Sequence, residues 1–226
     1  MSNESGKPIF PPAFFITGTD TDVGKTVVAA MFTLGLGAAY WKPVQSGLEP
    51  TTDTELVRSL TQLPDAHFFP ERFRLTQPLS PHAAAAIDGV AIALSDFRVP
   101  NFSAPPSTKP HLIIEGAGGL MVPLNEQDYM LDLINHFQVP VCLVARSTLG
   151  TINHTLLSIE QLRRADIPIM GVVLNGPKNE GNRAAIAHYG QVPILAELEP
   201  METITPYRLQ QAFAQMVSPQ NWASGV

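Results

Sequence analysis

The stretch Thr17-Gly18-Thr19-Asp20-Thr21-Asp22-Val23-Gly24-Lys25-Thr26 constrains this chain more than any other. The apolar run Ala13–Thr17, suited to a strand buried on both faces, leads into it, and Lys25–Leu34, which reads as helix, leads out. A strand that feeds a glycine-bearing turn and then a helix aims several backbone N–H groups at one concavity. The helix N-terminus adds partial positive charge there, Lys25 neutralises more, and the Thr26 hydroxyl can ligate a divalent ion. This is the context a phosphate-binding loop needs. Five residues rather than four separate Gly18 from Gly24, so a strict pattern search would miss it. The competing reading is a glycine turn with an incidental Gly-Lys-Thr, and the position between strand and helix argues against it.

Four more short apolar runs, Tyr40–Val44, His111–Glu115, Pro140–Ala145 and Pro168–Asn175, read as strands buried on both faces. Between and after them, Thr54–Gln62, Asp128–Phe137, Ile152–Ala165, Asn182–Tyr189 and Tyr207–Val217 have helical character. Strands alternating with helices imply right-handed crossovers and an α/β fold: one doubly wound, mainly parallel sheet flanked by helices, of P-loop NTPase type. With 226 residues, 45% of them hydrophobic, the chain can bury one substantial core, and a single domain over 1–226 is expected. Residues 1–12 are expected to form a flexible extension. Arg98–Pro110 carries four prolines and reads as a surface connection.

Charged residues make up 15% of the chain and the formal net charge is −6, so no global basic field favours a nucleic acid or an anionic membrane. No apolar run reaches the roughly 20 residues a bilayer crossing needs. The first residues resemble no export signal. The single cysteine, Cys142, lies inside the run Val141–Val144 and suits a buried thiol. A soluble protein of the reducing cytoplasm is expected.

Acidic groups from neighbouring strands usually complete a phosphate site by holding magnesium. Glu115 ends the run Leu112-Ile113-Ile114 ahead of Gly116-Ala117-Gly118-Gly119. Its carboxylate would be costly to desolvate unless paired, and beside a phosphate-binding loop a metal role is favoured over a structural ion pair. Asp53 follows Thr52, which with Glu55 can form a capping box, so on its residues alone it reads as an ordinary first-turn acid. Lys42, held extended by Pro43, should end a strand at the ligand crevice, although most strand-end lysines are simply solvated. His82 and His154 show no metal-ligand spacing, and Met121, Met130 and Met170 read as core filling.

Taken in order, Thr17–Thr26, Lys42-Pro43-Val44-Gln45-Ser46-Gly47, Ser80-Pro81-His82, Glu115–Gly119, Leu149-Gly150-Thr151-Ile152-Asn153-His154 and Val173-Leu174-Asn175 resemble the dethiobiotin synthetase family of P-loop carboxylase-ligases. The resemblance implies ATP-dependent insertion of carbon dioxide between the two amines of 7,8-diaminononanoate, giving dethiobiotin, ADP and phosphate. It implies catalytic roles for Lys25 and Lys42, and magnesium held by Thr26, Asp53 and Glu115. Nucleotide contacts would come from Asp22, Val23, Gly24, Lys25, Thr26, Val27, Asp53, Glu115, Gly116, Ala117 and Gly118. Asn175, Gly176, Leu198, Glu199 and Pro200 would complete them on the adenine side. Thr21 and Ser46 would contact the diamine, and in a homodimer Gly150 and Asn153 would serve the neighbouring subunit's site.

The chain departs from the family pattern in two places. The segment between Lys25 and Lys42 is short, implying a short first helix and an abrupt turn through Gly35-Leu36-Gly37. The loop Ala196–Pro200 lacks the usual Ile-Pro pattern. The competing function is a positioning ATPase that switches on a protein or membrane partner. Those proteins carry an additional lysine in the loop where this chain has Asp20, and no basic amphipathic terminal helix offers a membrane anchor here.

Overall fold

The computed structural model describes residues 10–103 and 109–218. Of the expected extension, residues 1–9 lie outside the described residues, whereas 10–12 are docked: the Phe10 ring meets Phe14, Phe32 and Phe213, and the Pro12 carbonyl accepts from the Leu112 amide. The described part of Arg98–Pro110 has neither helix nor strand, while residues 104–108 lie outside the described residues.

In chain order, β1 (Ala13–Gly18) leads through α1 (Lys25–Leu36) to β2 (Ala39–Trp41), β3 (Val44–Ser46) and α2 (Asp53–Thr61). Two short strands, β4 (Phe68–Phe69) and β5 (Phe73–Leu75), precede α3 (Pro81–Asp88). Then follow β6 (Leu112–Gly119), α4 (Met130–Phe137), β7 (Val141–Arg146), α5 (Thr151–Arg164), β8 (Ile169–Asn175), α6 (Glu180–Gly190), β9 (Ile194–Leu198) and α7 (Pro206–Met216). Among the described residues a seven-stranded parallel sheet runs β4-β2-β6-β1-β7-β8-β9, and β3 and β5 form a small parallel pair apart from it.

The expected strand Tyr40–Val44 is therefore two strands in two sheets. Pro43 has no N–H to donate to a ladder, so the chain leaves the main sheet after Lys42. Strands β4, β5 and β9 and helix α3 carry too weak or too short a periodicity to be read from sequence. Met121 is half-exposed, contrary to the core reading. The first helix is not short: it has 12 residues, includes Gly35, and ends at Gly37 in the left-handed region. Gly35 lets α7 approach α1 closely, since a Cβ there would lie 2.2 Å from the Phe213 ring.

Side chains alternate across the sheet as the pleat demands. Phe14, Ile16, Tyr40 and Ile113 face the layer of α1, α2 and α7, while Phe15, Trp41, Leu112 and Ile114 face α3 and α4. Leu143, Ala145, Val172 and Leu174 pack under α5 and α6. From β1 the chain moves through α1 toward one edge, and from β7 it moves toward the other. A crevice therefore opens at the carboxyl ends of the strands beside β1, where open α/β sheets bind ligands.

Candidate active site

The loop after β1 is anchored from below and open above. Val23 is buried beneath it, the Thr19 amide donates to the Val144 carbonyl, and Asn175 Nδ2 donates to the Val23 carbonyl at 3.0 Å. Asp22 (φ 57°) and Gly24 (φ 95°) both adopt left-handed backbone. Only glycine fits at position 24: besides the positive φ, a Cβ would come within 2.1 Å of Asn175 Nδ2. Gly24 is also the N-cap of α1, so the first free amides of that helix open toward the loop. Lys25 Nζ curls back to donate to the Asp20 carbonyl at 3.0 Å. Burial, and next the Lys42 ammonium, hold the Lys25 amine below its ordinary value.

Beside the loop a charged cluster sits on the sheet. Lys42 stands one residue past β2 and Glu115 lies on β6, on the face shared with Tyr40 and Ile113. Lys42 Nζ lies 2.5 Å from Asp53 Oδ2, 3.3 Å from Glu115 Oε1 and 2.8 Å from the Gly116 carbonyl. Glu115 is fully buried; its Oε1 also accepts from Thr26 Oγ1 at 2.9 Å and its Oε2 from the Tyr40 hydroxyl at 2.9 Å. The readings from isolated residues are corrected here. Lys42 is 3% exposed rather than solvated, and Asp53 turns into the cleft although the Thr52–Glu55 capping box does form. Pro43 and the capping box set those backbone directions, and the opposite charges converge because each lowers the cost of burying the other.

Burial pulls the Lys42 ammonium down, but the Glu115 and Asp53 carboxylates outweigh it and leave its pKa raised. For Asp53, burial is outweighed by Lys42 and the carboxyl is held below the usual range. For Glu115, burial prevails over Lys42 and the carboxyl is raised. The Lys42 ammonium is thus shared between the partly exposed Asp53 carboxylate and the fully buried Glu115 carboxylate.

These groups border a cleft of about 740 Å³. Thr21, Asp22, Gly24, Lys25, Thr26, Val27, Lys42, Ser46, Asp53, Glu115, Ala117 and Gly118 line it. Ser46 Oγ is buried there without a hydrogen-bond partner among the described residues, a hydroxyl free for a polar ligand. Leu56, Pro78, Leu79, Pro81 and Val122 supply apolar wall. Gln45 carries no chemical signal of its own in the sequence, yet its Oε1 accepts from the Asp53 amide at 3.0 Å and fixes the start of α2. Its only sequence signal was its place in Lys42–Gly47.

Other expected site residues lie outside this lining. Val23 supports the loop from beneath, and Gly116 offers its carbonyl to Lys42. Asn175 ends β8 behind the loop, and the Gly176 amide donates to the Leu198 carbonyl. Leu198 is buried at the end of β9, so the expected loop Ala196–Pro200 is strand as far as Leu198; Glu199 pairs with Lys178 at 2.8 Å, and Pro200 follows it. Gly150 caps α5 with φ 92°, and Asn153 is exposed in its first turn. His82 bonds to Ser80.

A family model described as "AAA domain" matches residues 12–208. A protein named ATP-dependent dethiobiotin synthetase BioD from Brucella ovis is 48% identical over 200 residues, covering 88% of this chain and 92% of that protein. Its namesake from Brucella melitensis is 47% identical over the same coverage. The chain belongs to the dethiobiotin synthetase family. Among solved structures, the septum site-determining protein MinD from Pyrococcus horikoshii, complexed with Mg-ADP, matches with a TM-score of 0.55 and 14% identity over 91% of this chain and 93% of that one. The signal recognition particle receptor FtsY from Elizabethkingia anophelis, in complex with GDP, matches with a TM-score of 0.54 and 16% identity, over 99% of this chain and 67% of that one. At such identities these two share the P-loop NTPase fold with this family member and no more. Among the described residues no helix is long and apolar enough to cross a membrane.

Proposed function

We propose that this chain is an ATP-dependent dethiobiotin synthetase, an enzyme of biotin biosynthesis that carboxylates and closes the ring of 7,8-diaminononanoate. The observation that carries the reading, beside family membership, is the convergence of Lys25, Thr26, Lys42, Asp53 and Glu115 on one cleft at the strand ends. One amine of the substrate adds to carbon dioxide and loses a proton to give a carbamate. A carbamate oxygen then takes the γ-phosphoryl group of ATP, releasing ADP, and the second amine attacks the carbonyl carbon of the mixed anhydride and expels phosphate. Negative charge grows on the phosphoryl and carbamate oxygens throughout. Lys25 and Lys42 are fixed cations facing that charge, and a lysine already stripped of water stabilises it without solvent reorganisation. The amides around Gly24 grip the polyphosphate, and Thr21 and Ser46 orient the diamine.

Thr26, Asp53 and Glu115 would hold a magnesium ion. All three offer hard oxygens, and Thr26 Oγ1 and Glu115 Oε1 stand 2.9 Å apart. Two carboxylates and a hydroxyl are the kind of oxygen donors that magnesium takes. Among the described residues no group of three or more His, Cys, Asp or Glu is placed to hold a metal; substrate phosphates would complete the shell of an ion held by two carboxylates and Thr26. When bound, the ion neutralises charge on the transferring phosphoryl group.

Asn175, Gly176 and Leu198–Pro200 would take the adenine side. A homodimer in the cytoplasm fits the exposed turn before α5, where Leu149 is fully solvent-facing and Gly150 and Asn153 could reach a neighbouring subunit's diamine. The test is purified protein with ATP, magnesium, bicarbonate and diamine, following ADP and dethiobiotin together. Diamine-dependent release of both supports the ligase; ADP release stimulated only by a protein or lipid would replace it with a positioning switch.

A further inference from the structure

Tyr40 lies on β2 beneath the charged cluster, fully buried, and does not line the cleft. It therefore cannot touch substrate. Its register partner on β6 is Ile113, so its phenol points along the face that also carries Glu115, two residues on. Its ring edges against Phe68 at 6.3 Å between centroids, and Phe14, Ile16, Val28 and Phe32 belong to the same packed cluster. In that apolar surrounding the hydroxyl donates to Glu115 Oε2 at 2.9 Å.

The two oxygens of Glu115 are thereby given different tasks. Oε2 is tied to the core by Tyr40, while Oε1 is turned toward Thr26 Oγ1 and Lys42 Nζ at the cleft. A carboxylate on two rotatable methylenes could otherwise swing, present both oxygens, or turn either one inward. We infer that Tyr40 is a positioning residue that fixes Glu115 as a one-oxygen ligand for the catalytic metal. The inference rests on the proposed magnesium role of Glu115. It goes beyond that role by assigning the oxygen used and the group that selects it. Outer partners of this kind orient metal ligands, and their loss typically costs about 10- to 100-fold in metal affinity or activity.

The experiment compares wild type, Tyr40→Phe and Glu115→Gln by calorimetry of ADP binding, with magnesium and with chelator. Tyr40→Phe is expected to weaken magnesium-dependent ADP binding about tenfold or more and to leave chelator-state ADP binding unchanged, which also reports an intact loop. If Glu115→Gln weakens magnesium-dependent binding and Tyr40→Phe does not, Tyr40 has no positioning role. If Glu115→Gln itself binds magnesium nucleotide as wild type does, the metal reading falls and the inference with it. A second measurement covers a Tyr40→Phe protein that does not fold. In 3-fluorotyrosine-labelled protein, with Tyr129, Tyr189 and Tyr207 replaced by Phe, the remaining fluorine reports Tyr40 alone. Its resonance is expected to move with magnesium and ADP but not with ADP and chelator; an identical response to both would overturn the inference.

Discussion

Replacing Lys42 by methionine removes the cation of the cluster while keeping most of its apolar stem. Glu115 is fully buried and Asp53 is 31% exposed, so the two carboxylates respond differently. Asp53 can recover solvent; Glu115 cannot. Removing one partner of a buried ion pair costs about 3–5 kcal/mol. Thr26 and Tyr40 still donate to Glu115, which puts the expected loss near the lower end, about 3 kcal/mol. For a chain of this size that lowers Tm by roughly 6–12 °C. Adding Glu115→Gln to Lys42→Met removes the stranded charge and should restore much of the loss, because no ion is then left buried. The pH dependence follows by sign. Burial holds the Glu115 carboxyl above its ordinary value, and Lys42 opposes that; without Lys42 the shift grows. A raised carboxyl contributes stability below its unfolded value that is lost as pH rises through the folded one, so Lys42→Met should be relatively more stable near pH 5 than near pH 8. Urea unfolding of the single and double variants at both pH values measures this. Lys42→Met with wild-type stability, or a double variant no better than the single, would refute the shared-ammonium picture. The same variant should keep nucleotide binding and lose most turnover.

Gly24→Ala should abolish nucleotide binding in calorimetry, because position 24 needs a positive φ and its Cβ would strike Asn175. Gly35→Val should destabilise by about 1–3 kcal/mol through overpacking against Phe213, and Phe213→Ala in the same chain should relieve part of that in urea unfolding. Burial pushes the Cys142 thiol up to about 12 from 9.0, so it should resist thiol reagents in the native state and react on unfolding. Since its folded pKa is the higher one, stability should fall as pH rises between those two values, and Cys142→Ala should flatten that fall.

The chain's own order of residues determined the phosphate loop, the parallel α/β plan and the family, because these depend on local periodicity and on glycines at fixed offsets. Thr17–Thr26 announces itself wherever it occurs between an apolar strand and a helix. For Glu115 the sequence says only that a carboxylate in a buried run demands a partner; that Lys42, Thr26 and Tyr40 meet it is decided by the tertiary structure. Lys42 and Asp53 were not legible from their residues alone. Each has a bland local role, strand end and first-turn acid, and only the adjacency of β2 and β6, with α2 started over them by Gln45, brings their charges within reach. Tyr40 is the extreme case. In sequence it is one more aromatic in an apolar run, and its hydroxyl gains a purpose only where pleat and register lay it under Glu115. Pairings between strands far apart in the chain are decided by the burial of whole sheet faces, and no short stretch of residues encodes them.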